Sequence, residues 1–253
     1  MKPTKGKTVL ITGSSRGIGR ATALKMAGLG CNVVVNYSHD SSKKEAEKTV
    51  KEIEKKGVKA IAVKADVAYY ADVKRLVSAA VKEFGHIDYL VNNAGVYSKN
   101  PGSPSHELAH GEWRWLIAVN LDGVFYVTKE VVKHMLEKKI KGSVCSVSSV
   151  AGIHGSGSGP HYAASKGAVI QLTYSWANEY GPKGITFNAV APGVTDTKLI
   201  KKMPRKRFKE FVKASPLGRA GKPEDVADAI AFLLTQGYVN GQTLVVDGGR
   251  VKH

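Results

Sequence analysis

Residues 143–168 read SVCSVSSVAGIHGSGSGPHYAASKGA and contain three kinds of segment. An apolar run ends in serines, a glycine-rich part follows, and the last part has the pattern of a helix start. We predict the end of a buried strand, then a flexible pocket wall, then a helix. Because residues four apart lie on one helix face, the phenol of Tyr162 and the ammonium of Lys166 are expected about one turn apart, where the lysine would favour the phenolate.

The Tyr-x-x-x-Lys spacing is a weak signal by itself, because the chain has ten tyrosines and many lysines. Tyr70 and Lys74 also match it, and we interpret them as an ordinary surface pair. Tyr162 differs in context, since a predicted strand delivers Ser149 just upstream of it, at the glycine-rich part. The context therefore favours Ser149, Tyr162 and Lys166 as the residues that carry chemistry.

Composition limits the class of protein. The chain has 253 residues and a formal net charge of +17, and no composition break marks a linker, so we predict one domain over residues 1–253. We find no apolar run of about 18 residues that would span a membrane and no secretory signal pattern, and we expect a cytoplasmic protein. Cys31 and Cys145 fit a reducing compartment and indicate no disulfide framework.

Residues 8–12, TVLIT, form a short apolar run that leads directly into GSSRGIG. This pattern predicts a strand, a glycine turn and a helix, in which Gly13, Gly17 and Gly19 let the backbone approach a pyrophosphate at the helix amino end. Residues 13–17 also fit the Gly-x-Ser-x-Gly elbow of hydrolases. Several strands precede that elbow in hydrolases and only one does here, so we disfavour this alternative.

The second predicted strand, residues 32–36, ends where an enzyme that uses NAD usually has an acidic residue for the ribose hydroxyls. Here the first acidic residue is Asp40. Arg16, in the glycine turn, is placed to face a 2′-phosphate. The pattern therefore favours NADP over NAD.

Strand and helix patterns alternate along the rest of the chain. This alternation predicts an α/β fold with a doubly wound parallel sheet, Rossmann-like, and helices on both faces. We predict a mobile basic substrate lid near residues 195–215. Strands are predicted at residues 60–64, 89–91, 185–190 and 243–246, and helices at 42–56, 72–84, 112–140, 161–180 and 223–234.

Residues 106–110 read His-Glu-Leu-Ala-His, a literal match to the zinc motif in which two histidines lie one helical turn apart. The segment is polar, follows a Pro/Gly/Ser-rich stretch and has no obvious third ligand nearby. We interpret His106 and His110 as solvated residues, and we predict no metal site.

These features, in their order along nearly the whole chain, resemble the short-chain dehydrogenase/reductase family. Within that family the chain looks most similar to 3-oxoacyl-[acyl-carrier-protein] reductases and their sugar- and alcohol-oxidising relatives. The segments that carry the resemblance are TGSSRGIG (12–19), Asp66, NNAG (92–95), Asn120, Ser149, YAASK (162–166), PGVTDT (192–197) and VDGG (246–249).

The resemblance implies roles for four residues. Tyr162 would protonate a carbonyl oxygen during reduction, and Lys166 would lower the pKa of the phenol from about 10 and hold the nicotinamide ribose. Ser149 would hydrogen-bond to the carbonyl oxygen. Asn120, inside the long predicted helix among apolar neighbours, would anchor a water in the proton path.

The resemblance also implies a dinucleotide site and a homotetramer. Asp66 would contact the adenine, Asn92 and Ala94 the ribose, and Val194 and Thr197 the nicotinamide amide. The residues implied in binding the cofactor are Gly13, Ser15, Arg16, Gly17, Ile18, Gly19, Asn36, Tyr37, Asp66, Val67, Asn92, Ala94, Gly95, Tyr162, Lys166, Pro192, Gly193, Val194 and Thr197.

The expected activity is NADPH-dependent reduction of a ketone, foremost a 3-oxoacyl thioester of acyl carrier protein or coenzyme A, as in fatty acid biosynthesis. Basic residues 198–213 and Lys138, Lys139 and Lys141 would attract an acidic carrier, although a general lysine enrichment explains them equally well. The alternative is an NAD(P)-dependent sugar, polyol or secondary-alcohol dehydrogenase. A basic nucleic-acid-binding protein is a remote third possibility, because no nucleic-acid reader motif is present.

Overall fold

The structure is a computed structural model that describes residues 2–101, 104–155, 159–200, 203 and 205–251. Within these ranges the chain forms one sheet of seven parallel strands. The strands are β1 (Thr8–Ile11), β2 (Asn32–Tyr37), β3 (Ala60–Lys64), β4 (Tyr89–Asn92), β5 (Ser143–Val147), β6 (Thr186–Pro192) and β7 (Thr243–Val246).

The strand order across the sheet is β3-β2-β1-β4-β5-β6-β7, so the direction of winding reverses between β1 and β4. Ligands of open parallel sheets bind outside the carboxyl ends of the strands at such a reversal. The helices are α1 (Gly17–Gly28), α2 (Lys43–Glu54), α3 (Tyr70–Phe84), α4 (His110–Ile117), α5 (Gly123–Glu137), α6 (Ala151–His154), α7 (Pro160–Tyr180), α8 (Arg205–Ala214) and α9 (Pro223–Thr235), with short 3-10 turns at Asp40–Ser42, Ser105–Glu107 and Gly181–Lys183.

Two apolar cores lie on opposite faces of the sheet. Successive strand residues point to opposite faces, so Val9 and Ile11 enter one core and Leu10 enters the other. The first core includes residues of α1, α2 and α9, and the second includes residues of α3, α5 and α7. The predicted doubly wound parallel sheet with helices on both faces is confirmed.

The predicted elements differ from the structure at two places that concern the site. The helix predicted over residues 112–140 consists of α4 and α5 joined by a π-helical turn, Ala118–Asp122. The predicted glycine-rich wall contains the short helix α6, while residues 156–158 lie outside the described part. The glycine-rich sequence does not indicate this helix, because its single turn is held mainly by packing against α7.

Part of the predicted lid is helical. Within residues 195–215, α8 covers Arg205–Ala214, and Phe208 and Phe211 pack with Met203 against Tyr162 and its apolar neighbours. Residues 201, 202 and 204 of this segment lie outside the described ranges. Its mobility stays a prediction. Among the helices of the described ranges, none is both long and apolar enough to cross a membrane.

Candidate active site

A cavity of about 450 Å³ opens at the carboxyl ends of β1, β2, β4, β5 and β6, where the winding reverses. One side is formed by the glycine turn after β1 and by residues that follow β2. The other is formed by residues after β5 and β6 and by the first turns of α7. Tyr162, Lys166 and Ser149 all line this cavity.

Tyr162 and Lys166 lie on one face of α7, and both side chains are buried. The Lys166 ammonium is 5.9 Å from the centroid of the Tyr162 ring, and it donates a 2.8 Å hydrogen bond to the carbonyl oxygen of Val147. Ser149 hydrogen-bonds to Tyr162 through its side chain. The strand end and the helix thus bring together the three residues that the sequence favoured.

Burial controls the protonation of this pair. It raises the pKa of Tyr162 to about 12, while the hydrogen bond from Ser149 acts in the opposite direction. Burial also lowers the pKa of Lys166 to about 8. Removal of water from the phenol thus dominates its pKa, and the Lys166 ammonium is directed to Val147. The lowering of the phenol pKa by Lys166 stays a prediction.

Asn120 lies behind the cavity, fully buried in the π-helical turn. Its side-chain oxygen accepts a 2.8 Å hydrogen bond from the Val96 amide, and its nitrogen donates to the Val96 carbonyl at 3.0 Å and to Ser165 at 3.4 Å. A Cβ atom on Gly95 would lie 3.4 Å from the Asn120 oxygen and 3.5 Å from the Lys166 nitrogen. Asn120 therefore fixes the backbone beside Lys166.

The glycine turn after β1 has the shape that a dinucleotide pyrophosphate requires. Gly13 and Gly17 have φ values of +61° and +57°, and a Cβ on Gly13 would lie 3.0 Å from Ala94 Cα. Arg16 precedes α1 without a side-chain cap, and the first turn carries no acidic residue, so backbone amides are available to an anion. These residues fit a nicotinamide dinucleotide.

Most of the predicted site residues line the cavity, and four do not. The buried Asn92 side chain donates hydrogen bonds to Thr128 on α5 at 2.9 Å and to Ser146 on β5 at 3.3 Å, so it faces α5 and not the cavity. Asn120 is fully buried behind the cavity wall. Gly19 and Val194 also lie outside the lining. The lining includes Gly13, Ser15, Arg16, Gly17, Ile18, Asn36, Tyr37, Asp66, Val67, Ala94, Gly95, Ser149, Tyr162, Lys166, Pro192, Gly193 and Thr197.

Gly19 and Val194 shape the site indirectly. A Cβ on Gly19 would lie 2.5 Å from the Asn93 side chain and 2.6 Å from the Gly13 oxygen, so this glycine allows α1 to pack closely on the turn. The Val194 carbonyl accepts a 2.9 Å hydrogen bond from the Gly221 amide, which fixes the loop after β6.

The sequence reasoning missed several lining residues, of which Tyr97 is the most important. Its ring meets the Tyr162 ring edge-on at a centroid distance of 5.1 Å. Asn93, Ser38, His39 and Lys198 also line the cavity. The sequence could have indicated these residues, because Tyr97 closely follows the Asn-Asn-Ala-Gly segment and Ser38 and His39 directly follow β2.

The histidines of the zinc-like motif lie in two different elements. His106 lies in the 3-10 turn Ser105–Glu107 and His110 begins α4, so the two histidines do not share the helix that the zinc motif needs. No cluster of three or more metal-ligating side chains occurs among the residues described.

Tyr70 and Lys74, the other Tyr-x-x-x-Lys match, lie outside the cavity lining. The Tyr70 hydroxyl hydrogen-bonds to Glu130, and the Lys74 ammonium lies 5.3 Å from the centroid of the Tyr70 ring.

The lysines at the end of the predicted long helix are at the wrong edge of the sheet for the site. Lys138, Lys139 and Lys141 are exposed and lie between α5 and the amino end of β5. All strands are parallel, so their amino ends share the edge opposite to the cavity. These three lysines therefore do not border the cavity of the same chain, and their attraction for an acidic carrier stays a prediction.

Known proteins resemble this chain over almost its whole length. A family profile described as Enoyl-(Acyl carrier protein) reductase matches residues 13–250. The chain is 41% identical over 254 residues to a 3-oxoacyl-[acyl-carrier-protein] reductase of Synechocystis sp., with 99% of each chain covered. It is also 41% identical over 249 residues to 3-oxoacyl-[acyl-carrier-protein] reductase FabG of Thermotoga maritima, with 98% of each covered.

A solved structure shows the same likeness in three dimensions. The crystal structure of levodione reductase superposes with a TM-score of 0.91 at 35% identity, covering 97% of this chain and 98% of that one. The chain therefore belongs to the short-chain dehydrogenase/reductase family of oxidoreductases.

Proposed function

We propose that this protein is an NADPH-dependent carbonyl reductase that acts on 3-oxoacyl thioesters. The observation that carries the proposal is the meeting of Ser149, Tyr162 and Lys166 in a cavity beside a glycine turn suited to a pyrophosphate. The similarity to proteins named 3-oxoacyl-[acyl-carrier-protein] reductase supports the substrate class.

The bound nicotinamide supplies the hydride, and the protein positions and protonates the ketone. With its pKa raised to about 12, the Tyr162 phenol keeps its proton at neutral pH and is the acid for the carbonyl oxygen. Ser149, which already hydrogen-bonds to Tyr162, orients that oxygen. Lys166 would hold the nicotinamide ribose. Asn120, close to Lys166 across Gly95, would anchor the water that returns a proton to the site.

We assign the adenosine end of the cavity to the part lined by the glycine turn and by the residues after β2. The residues at this end support NADP over NAD. Arg16 lines the cavity with a largely exposed side chain. Asn36, at the end of β2, uses its side chain to hold the Gly13 amide and the Ala65 carbonyl. The first acidic residue after β2, Asp40, forms a 2.7 Å ion pair with Lys64. This ion pair offsets the charge of Asp40 beside the end of β2.

The segment after β6 supports an acyl thioester. Phe208 and Phe211 direct the apolar side of α8 toward Tyr97 and Tyr162, where an acyl chain would lie. The exposed side of α8 carries Arg205, Lys206, Lys209 and Lys213. This arrangement suits a mobile lid that covers the acyl chain while its basic surface meets an acidic carrier protein or the phosphates of coenzyme A.

The assembly we propose is a homotetramer. Four large apolar side chains are 39–49% exposed: Phe125 on α5, Tyr174 on α7, Phe232 on α9 and Leu244 on β7. Such large apolar side chains suit burial between subunits. Light scattering after size exclusion would measure the mass of the assembly.

We also propose a cytoplasmic location, since Cys31 and Cys145 are buried and unpaired.

The decisive test is a substrate panel with both cofactors. Oxidation of NADPH by acetoacetyl thioesters of acyl carrier protein and coenzyme A should greatly exceed oxidation of NADH. Reduction of NADP or NAD by glucose, polyols and secondary alcohols should be slow. Fast oxidation of a sugar or alcohol with little thioester activity would instead support the dehydrogenase alternative.

One variant separates catalysis from binding. Tyr162→Phe retains the ring that packs against Tyr97 but removes the acid, so turnover should fall by roughly a thousandfold or more while the dinucleotide still quenches protein fluorescence. Tyr70→Phe, in the other Tyr-x-x-x-Lys match, is the control and should retain turnover. Near-normal turnover in Tyr162→Phe would refute the assigned role.

A further inference from the structure

Glu45 joins the two sides of the cavity. It lies in the first turn of α2, and its carboxylate hydrogen-bonds to the ammonium of Lys198, which is far away in sequence, on the segment that follows β6. The other carboxylate oxygen lies 3.6 Å from a guanidinium nitrogen of Arg16 in the glycine turn. A single carboxylate therefore holds one cation from each side.

The location of this cluster is fixed by packing. Thr49, one turn further along α2, donates hydrogen bonds to the carbonyl oxygens of Glu45 and, at 3.3 Å, of Ser15 in the glycine turn. On the other side, a Cβ on Gly17 would lie 3.5 Å from the Thr197 side chain, so the residue before Lys198 rests on the same turn. The cluster is thus at the mouth of the adenosine end.

The pairing of Glu45 is incomplete. The oxygen that faces Arg16 is buried, and no hydrogen bond reaches it within the described residues. Arg16 and Lys198 remain more than half exposed at their side chains, so each is free to turn toward a ligand. Contacts of this kind between exposed groups are weak, and a phosphate with two negative charges is a stronger partner for both cations.

The charges around this end of the cavity favour an anion. The cations Arg16 and Lys198 line it together with one acidic residue, Asp66, and Asp40 is already paired with Lys64. Glu45 is the acidic group that competes for both Arg16 and Lys198. A 2′-phosphate would therefore gain two cations that Glu45 otherwise holds.

We propose that Lys198 joins Arg16 in binding the 2′-phosphate of the cofactor and that Glu45 competes with that phosphate, forming a latch that holds the segment after β6 across the cavity mouth. This inference rests on the proposed use of NADPH and adds two residues that determine cofactor specificity. Binding of the phosphate would exchange the contact between Glu45 and Lys198 for one between the ligand and Lys198.

The test measures binding of two fragments that lack nicotinamide, so no turnover is needed. Adenosine 2′,5′-bisphosphate and adenosine 5′-monophosphate are titrated by calorimetry into the wild type, Glu45→Gln and Lys198→Gln. Glu45→Gln should bind the bisphosphate roughly threefold more tightly, because a competing charge is removed. Lys198→Gln should bind it roughly tenfold more weakly, and the monophosphate should change less than about twofold in both.

Controls come from an exposed pair on the same helix. Lys43 and Glu47 lie 4.0 Å apart and outside the cavity lining, so Lys43→Gln and Glu47→Gln test the general effect of charge. Unchanged monophosphate binding shows that each variant retains a folded site.

The outcomes separate this inference from the function on which it rests. If the wild type prefers the bisphosphate but Glu45→Gln and Lys198→Gln match the controls, the latch is wrong and the proposed cofactor preference stands. If the wild type binds the two fragments equally, the proposed preference for NADP fails and the latch fails with it.

Discussion

Lys166 donates a 2.8 Å hydrogen bond from its ammonium to the carbonyl oxygen of Val147, and this bond joins α7 to the end of β5. The side chain is buried, and burial lowers its pKa to about 8. The free lysine value is about 10.4, so the folded protein holds this proton more weakly than the unfolded chain does. Burial of the Lys166 ammonium therefore reduces the stability of the folded protein at neutral pH.

Replacement of Lys166 by Met should remove a pH dependence of stability. Between pH 8 and about 10.4 the unfolded chain binds a proton at this site that the folded protein has lost, so the free energy of unfolding should rise with pH by about 1.4 kcal/mol per unit. Urea unfolding at several pH values should show the difference between wild type and Lys166→Met growing by roughly 3 kcal/mol in favour of the wild type.

The comparison also removes the effect of other groups. Burial lowers the pKa of Lys2 to about 8 as well, but Lys2 is present in both proteins and cancels in the difference. A difference that stays constant from pH 7.5 to 10.5 would contradict a lowered pKa at Lys166.

Glu112 should act as a positioning residue for Tyr162. One carboxylate oxygen accepts hydrogen bonds from the Lys99 amide at 2.7 Å and the Ser98 hydroxyl at 3.1 Å, and it lies 3.3 Å from a ring nitrogen of His161. Burial acts to raise the pKa of Glu112, and these bonds outweigh it, so the pKa lies below its usual value. The carboxylate thus ties the loop that follows Tyr97 to the start of α7.

Glu112→Ala should leave several buried donors unpaired and lower the free energy of unfolding by about 2 kcal/mol or more. The kcat should fall roughly tenfold with little change in KM, because Tyr162 is misplaced while the cofactor turn is intact. Glu112→Gln retains a carbonyl acceptor and should recover part of both losses, and Glu107→Ala, at an exposed residue, is the control. A kcat for Glu112→Ala equal to that of the control would rule out the positioning role.

The fold was predictable because the patterns that define it are local. β3 and β7 have the predicted bounds, and the glycine turn and the Tyr162 helix were both recognised. Interactions between distant segments were not predictable. The contact of Glu45 with Lys198 depends on how α2 and the segment after β6 approach each other, and no spacing in the sequence encodes that approach.

The direction of the Tyr162 pKa was not predictable for a related reason. The spacing of Tyr162 and Lys166 placed them correctly on one helix face, but the direction of the phenol pKa depends on burial by Tyr97 and other residues far away in sequence. The edge that carries Lys141 was predictable, because this lysine precedes a strand of a sheet that was predicted to be parallel, and the amino ends of parallel strands lie opposite to the cavity. Charge and spacing identify residue types, whereas packing decides their environment.

The contact between α6 and α7 depends on Gly152. A Cβ atom at this position would lie 2.5 Å from the carbonyl carbon of Lys166 and 2.6 Å from the amide nitrogen of Gly167, both of them backbone atoms that cannot turn aside. The Gly152 amide also donates a 2.9 Å hydrogen bond to the carbonyl oxygen of Ser149. A larger residue would separate Ser149 from the helix that carries Tyr162.

Gly152→Ala should therefore lower the free energy of unfolding by about 1 to 3 kcal/mol and reduce kcat by roughly tenfold or more. The matched control is Gly28→Ala in the last turn of α1, where an added Cβ meets no atom within 4 Å. That variant should be neutral or more stable by up to about 1 kcal/mol, because alanine favours helix more than glycine does. Urea unfolding and kcat are measured on both variants. Equal effects in the two would show that α6 moves to accommodate the added methyl group and that its packing does not hold Ser149 in place.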